Sequence, residues 1–175
     1  MILTASPFPF FPLLHHTIFN IRPILTSHPP HISIMSTYNG ACHCGATEWT
    51  ASLDKDTSSH ILCHCNTCKI LSGGAYTLNQ IVPKDSLKIT KGGDNLKNYT
   101  YKGDSGNPVH CYYCPECTTH VYHHQTALGD DKIVLRTGLL SEGRKNFGPA
   151  AEIYGKDRFS WEKEVANTFE VLPPQ

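Results

Sequence analysis

The sequence predicts an all-β domain of antiparallel strands, stapled by two metal sites. Three observations carry that expectation. No segment shows a long helical period. Short alternating segments are separated by glycine, proline, asparagine and aspartate turn signals, and the chain holds 13 glycines and 12 prolines. The eight cysteines fall into three clusters: Cys42 with Cys44; Cys63, Cys65 and Cys68; and Cys111, Cys114 and Cys117. Those spacings suit tetrahedral zinc.

Charge and hydropathy exclude several classes. Lysine plus arginine equals aspartate plus glutamate, 15 each. A nucleic-acid surface would need a basic excess, so no nucleic-acid partner is expected. No apolar run is long enough to span a bilayer. The first residues, M-I-L-T-A-S-P-F, lack the basic region of a secretory signal. A disulfide framework is the competing reading of the cysteines. Their metal-like clustering argues against it and for a reducing compartment, the cytoplasm, with the mitochondrion as the alternative.

Residues 1–34 look foreign to the rest. Pro7, Pro9, Pro12, Pro23, Pro29 and Pro30 fall there, with one arginine and no acid. Prolines at that density oppose helix and central strand alike. The segment reads as a disordered extension or the product of an upstream start codon. A transit peptide is the rival reading, which a single arginine weakens. The domain is then residues 35–175.

Within it the elements follow in order. Gly40 and Gly45 flank Cys42 and Cys44, which share one face if the chain is extended there. A-T-E-W-T-A alternates as a strand, and Ser59 to Leu62 is a strand feeding the second cluster. Ser72-Gly73-Gly74 is a loop, followed by the alternating A-Y-T-L-N-Q-I-V. Leu87 to Thr90 and Leu96 to Tyr101 are short strands closed by glycine turns. The runs T-T-H-V-Y-H-H and K-I-V-L-R-T-G are two more, and Ala150 to Tyr154 reads as a further edge strand. His123 and His124 are taken as strand residues facing opposite ways. Tyr99 and Trp161 are expected in the core.

The thiols can be allotted by spacing. Two pairs from distant parts of the chain close a tetrahedral site, and Cys42 and Cys44 with Cys114 and Cys117 satisfy that. Cys63, Cys65 and Cys68 then hold a second metal with three ligands, the count of a catalytic site with an open position. Cys111 remains over. It can complete the second site, exchange with Cys117 in the first, or be a small buried hydrophobe, the reading preferred here. His64, lodged between two thiolates, is a candidate site residue.

The runs G-A-C-H-C-G, C-H-C-N-T-C-K-I-L-S-G-G-A-Y, C-P-E-C-T-T-H-V-Y and V-L-R-T-G-L-L resemble the glutathione-dependent formaldehyde-activating enzyme family, which includes centromere protein V. The resemblance covers about residues 38–161. It implies a β-tent of antiparallel sheets with two zinc ions per chain. By motif, Cys42, Cys44, Cys114 and Cys117 match the structural zinc, and Cys63, Cys65 and Cys68 the catalytic one. Three positions depart from the usual pattern. Thr118 stands for a glycine, Lys69 for an arginine, and Glu152 for a histidine.

The implied activity is that of a carbon–sulfur lyase, joining glutathione and formaldehyde as S-hydroxymethylglutathione. A substrate thiol taking the open position is deprotonated by coordination. The addition is facile, so proximity and orientation are most of what a protein must supply. His64 and Tyr76 are the candidates to deliver the proton. Two alternatives stand beside it: a non-catalytic zinc-stabilised binding module of the centromere protein V type, and a lyase or hydrolase acting on another small molecule.

Overall fold

A computed structural model describes residues 33–174. The proline-dense segment reads over residues 1–34, so all but its last two residues lie outside the described ones. The described chain is all-β, with eleven strands and two short helices. No helix among the described residues is long and apolar enough to cross a membrane.

Three strands form a small antiparallel sheet: β1 (Met35–Ala41), β2 (Glu48–Asp54) and β5 (Leu87–Lys91), with β2 in the middle. A larger sheet has eight strands in the order β11-β10-β3-β4-β9-β8-β7-β6. Its members are β3 (His60–Cys63), β4 (Thr77–Pro83), β6 (Lys97–Lys102), β7 (Pro108–Tyr113), β8 (His120–Gln125), β9 (Lys132–Arg136), β10 (Pro149–Ile153) and β11 (Asn167–Thr168).

Two features differ from expectation. Strand β10 is not an edge strand: it lies between β3 and β11 and runs parallel to both. A local sequence pattern does not encode strand direction. The segment after Cys65 is a helix, α1 (Asn66–Ser72), closed by Gly73 at φ 66°. A left-handed glycine is a common helix stop. At seven residues α1 is too short to show a period, and its Ile70 and Leu71 point outward.

The two sheets share one core. In β2 the alternation is clean: Trp49, Ala51 and Leu53 are buried. They pack with Val82, Val121, Ile133 and Leu135 of the larger sheet. Burying an indole removes 150–250 Å² from water, about 4–6 kcal/mol before side-chain ordering is counted. Gly40, paired with Trp49, is glycine because a Cβ there would fall 2.2 Å from the indole nitrogen. Strand β9 is buried on both faces, which is why I-V-L reads as an unbroken apolar run. Ile133 and Leu135 join the core, and alternation sets Arg136 on the opposite face.

The expectation that Tyr99 and Trp161 are core residues is wrong. Tyr99 is 52% exposed on β6, an edge strand, and stacks on Tyr101. Trp161 is 73% exposed in a loop, stacked on Phe159. Large aromatic area predicts burial only where a second layer covers the element.

Candidate metal centres

The first centre joins two turns. Strand β1 ends at Ala41, so Cys42 and Cys44 lie in a turn rather than on an extended strand face. Gly45 at φ 73° and the bond Gly45 N–H to Cys42 O close that turn. Cys114 and Cys117 lie in the turn between β7 and β8, where the Thr118 N–H donates to Cys114 O. The four sulfurs are all within 4.8 Å of one another. Two edges measure 3.5 Å (Cys42–Cys44) and 3.8 Å (Cys44–Cys114). Zinc–sulfur bonds of about 2.3 Å place tetrahedral ligands about 3.8 Å apart, so this quartet fits the ion. The Thr47 N–H donates to Cys42 Sγ. The Thr119 hydroxyl bonds Cys117 Sγ and, against a little burial, helps hold that thiol down to about 5.

The second centre gathers Cys63, Cys65 and Cys68, again with sulfurs within 4.8 Å of one another. Cys63 ends β3, Cys65 caps the N-terminus of α1, and Cys68 sits in its first turn with its N–H donating to Cys65 Sγ. Cys111 is not a member of this group. It is buried in β7 between Tyr99 and His123, and burial pushes its thiol up to about 11. Hydrogen bonds from Cys63 and Cys65, with help from Arg136, hold the Cys68 thiol far down. Sharing those bonds, together with burial, pushes Cys63 far up. A dication bound there would take all three sulfurs as thiolates and release their protons.

The Arg136 guanidinium donates to Cys68 Sγ at 3.9 Å. It also donates to Asn79 Oδ1 (2.8 Å) and to His120 Nδ1 (3.2 Å). His120 is held down to about 4, first by burial and then by Arg136. Reading the sequence did not single out Arg136, Asn79 or His120. The one available signal was a charged residue closing the apolar run of β9.

His64 is buried beside the cluster in sequence, with its Nε2 committed elsewhere and its Nδ1 3.6 Å from Glu162 Oε2. Its Nε2 bonds Glu152 Oε2 at 2.7 Å. Glu152 is itself saturated: it accepts from the N–H groups of Val165 and Ala166 and from Arg158. Burial pushes its carboxyl up, and these bonds outweigh that and hold it below its ordinary value. His64 also meets Tyr76 edge-on at 5.5 Å. A cavity of about 470 Å³ is bounded by His64, Tyr76, Trp161 and Glu162. A second, of about 430 Å³, is bounded by Tyr76, Thr77, His120 and Arg136. Tyr76 lines both.

The profile of the glutathione-dependent formaldehyde-activating enzyme family matches residues 37–157, well over half the chain. The chain belongs to that family. Relatives carrying the family's name, given to them provisionally, occur in fungi. A Podospora anserina protein is 28% identical over 46% of this chain and 36% of its own length. One from Aspergillus terreus is 24% identical over 63% of this chain and 53% of its own. The chain thus spans about half or less of these relatives. A crystallised Rhodobacter sphaeroides protein aligns with a TM-score of 0.48 at 18% identity, covering 64% of this chain and 99% of its own.

Two departures from the family's usual residues now have structural readings. Thr118, standing where the family has glycine, has φ 60°, the left-handed region that glycine enters freely. Lys69, in place of arginine, donates to the Asp157 carbonyl at 2.5 Å and lies 4.5 Å above the Phe159 ring.

Proposed function

We propose that this member of the glutathione-dependent formaldehyde-activating enzyme family is a zinc-dependent enzyme that adds the thiol of glutathione to formaldehyde, yielding S-hydroxymethylglutathione. The observation that carries the reading is the count at the second cluster. Among the described residues, three cysteine sulfurs and no fourth metal-ligating side chain lie close enough to share an ion. The first cluster has four and is closed. Family membership and the relatives' names support the choice of substrates.

Cys42, Cys44, Cys114 and Cys117 hold a structural zinc in this reading, and Cys63, Cys65 and Cys68 the catalytic one. When bound, zinc supplies Lewis acidity that makes a thiol available as thiolate at neutral pH. The chain's own residues do the rest. The sulfur forms a bond to the carbonyl carbon, the carbonyl π pair moves to oxygen, and the proton given up by the thiol ends on that oxygen. In this reading Tyr76, 39% exposed and lining both cavities, hands on this proton. His64, tied to Glu152, fixes the edge against which Tyr76 rests. The rate gain comes from holding two reactants together.

Exchange spectroscopy with labelled formaldehyde and glutathione tests this. The protein accelerates the interconversion of free and thiol-bound formaldehyde, and Cys65→Ser abolishes the acceleration. A protein holding two zinc ions with no effect on the exchange rate would leave only the binding-module reading.

A further inference from the structure

Arg136 is a buried cation without a carboxylate. It is 7% exposed, and among the described residues it forms no ion pair with an acid. A buried guanidinium needs a counter-charge. The anionic neighbour on offer is the sulfur cluster, through Cys68 at 3.9 Å.

The polarity of the surrounding network points the same way. Arginine can only donate, so His120 Nδ1 and Asn79 Oδ1 both accept from it. His120 must then carry its proton on Nε2, which donates to the Tyr122 carbonyl. The Asn79 amide must donate, and it does so to Thr77 Oγ1 at 2.9 Å. The guanidinium thus presents one hydrogen to the Cys68 sulfur while its other bonds hold it in place.

The two cysteine clusters differ in this respect. The quartet exposes Cys44 and part of Cys117 to solvent, where water can screen its charge. The trio is largely buried. A dication with three thiolates has a net charge of minus one. A fourth thiolate would bring it to minus two in a dry site, a costly state. With Arg136 alongside, the same steps run from zero to minus one. Arg136 also borders the 430 Å³ cavity, together with Thr77, His120 and Cys117; none of the three cysteines of the trio lines it. That volume falls within the usual range for small-molecule sites.

We propose that Arg136 is a positioning residue that neutralises the three-thiolate centre, so that its open position accepts an anionic sulfur ligand. This rests on the reading of the trio as an open, thiol-binding centre.

The test uses the full chain loaded with cobalt, comparing wild type, Arg136→Met and Arg136→Lys. The readouts are metal content and the cobalt–sulfur charge-transfer band, titrated with 2-mercaptoethanol, azide or imidazole. The methionine variant keeps both metals and binds 2-mercaptoethanol about tenfold or more weakly. Its affinity for neutral imidazole is unchanged, and the lysine variant recovers most of the thiol affinity. Thiol binding at wild-type strength in Arg136→Met overturns the proposal and leaves the proposed function standing. So does an equal loss in both variants, which would assign the effect to shape. If the wild-type cobalt responds to azide and not to thiols, the thiol-substrate reading fails, and the ligand class proposed here with it. If Arg136→Met fails to load, the wild type decides. A neutralised centre takes azide at least as readily as imidazole, and a centre that takes imidazole and refuses azide overturns the proposal.

Discussion

Cys114→Ser and Cys65→Ser remove one sulfur each and are expected to have very different consequences. Cys114 is fully buried and belongs to the same core cluster as Trp49 and Leu135. Its centre ties the turn after β1 to the turn between β7 and β8, across 70 residues of sequence from Cys44. A structural zinc contributes on the order of 10 kcal/mol or more to the folding of small modules. A whole domain is stable by only about 5–15 kcal/mol. Losing a ligand there consumes the margin, and the variant should be unfolded or molten at 25 °C. Cys65 instead caps a seven-residue surface helix, accepting from the Cys68 N–H. Serine is a better cap than cysteine, so the local structure survives. The loss is confined to the second metal, and the melting temperature should fall by less than about 10 °C. Metal analysis with circular dichroism melts on both variants decides. Equal collapse of the two, or a folded Cys114→Ser protein holding one zinc, would refute the assignment of structural and open roles.

Three further outcomes follow from single positions. Thr118→Gly relieves a left-handed threonine at φ 60° and should stabilise the protein by about 0.5–1 kcal/mol after the entropy of glycine is deducted, readable in a denaturant melt. Gly40→Ala drives a methyl into the buried Trp49 indole. It should destabilise by about 3 kcal/mol and shift the tryptophan fluorescence, whereas Gly148→Ala, with open space at its Cβ, should be silent. Glu152→Gln weakens the bonds to His64, Val165, Ala166 and Arg158, at a cost of about 2–3 kcal/mol at neutral pH. Because the folded carboxyl lies below its ordinary 4.5, its contribution is present above that pH and is lost as pH falls through the lower folded value. The gap between wild type and Glu152→Gln should therefore close in acid, whatever zinc loss does to both.

The metal clusters were legible because ligand spacing is a local property. Two residues between Cys114 and Cys117, and one between Cys42 and Cys44, nearly dictate a shared ion. The alternating strands β2, β4 and β8 were legible for the same reason, and β9 through its unbroken apolar run. What escaped the sequence depends on register between distant strands. The pairing of Asn79 with Arg136 across β4 and β9 brings the guanidinium to Cys68, and no local pattern announces it. The parallel insertion of β10 beside β3 delivers Glu152 to His64 in the same way. Helix α1 escaped because at seven residues it shows no period, and its Ile70 and Leu71 face outward instead of packing on an apolar face. Tyr99 and Trp161 were misplaced because composition says nothing about which strand ends at an edge.

One of the two cysteine centres is proposed to hold zinc through only three protein sulfurs. X-ray absorption at the zinc edge, on protein carrying two zinc ions, measures the mean sulfur count directly. A closed quartet and an open trio give an average of about 3.5 sulfurs per zinc, rising to about 4 when glutathione is added. A value of 4 before any thiol is added, falling on Cys111→Ala, would mean that Cys111 closes the second centre and would contradict the account.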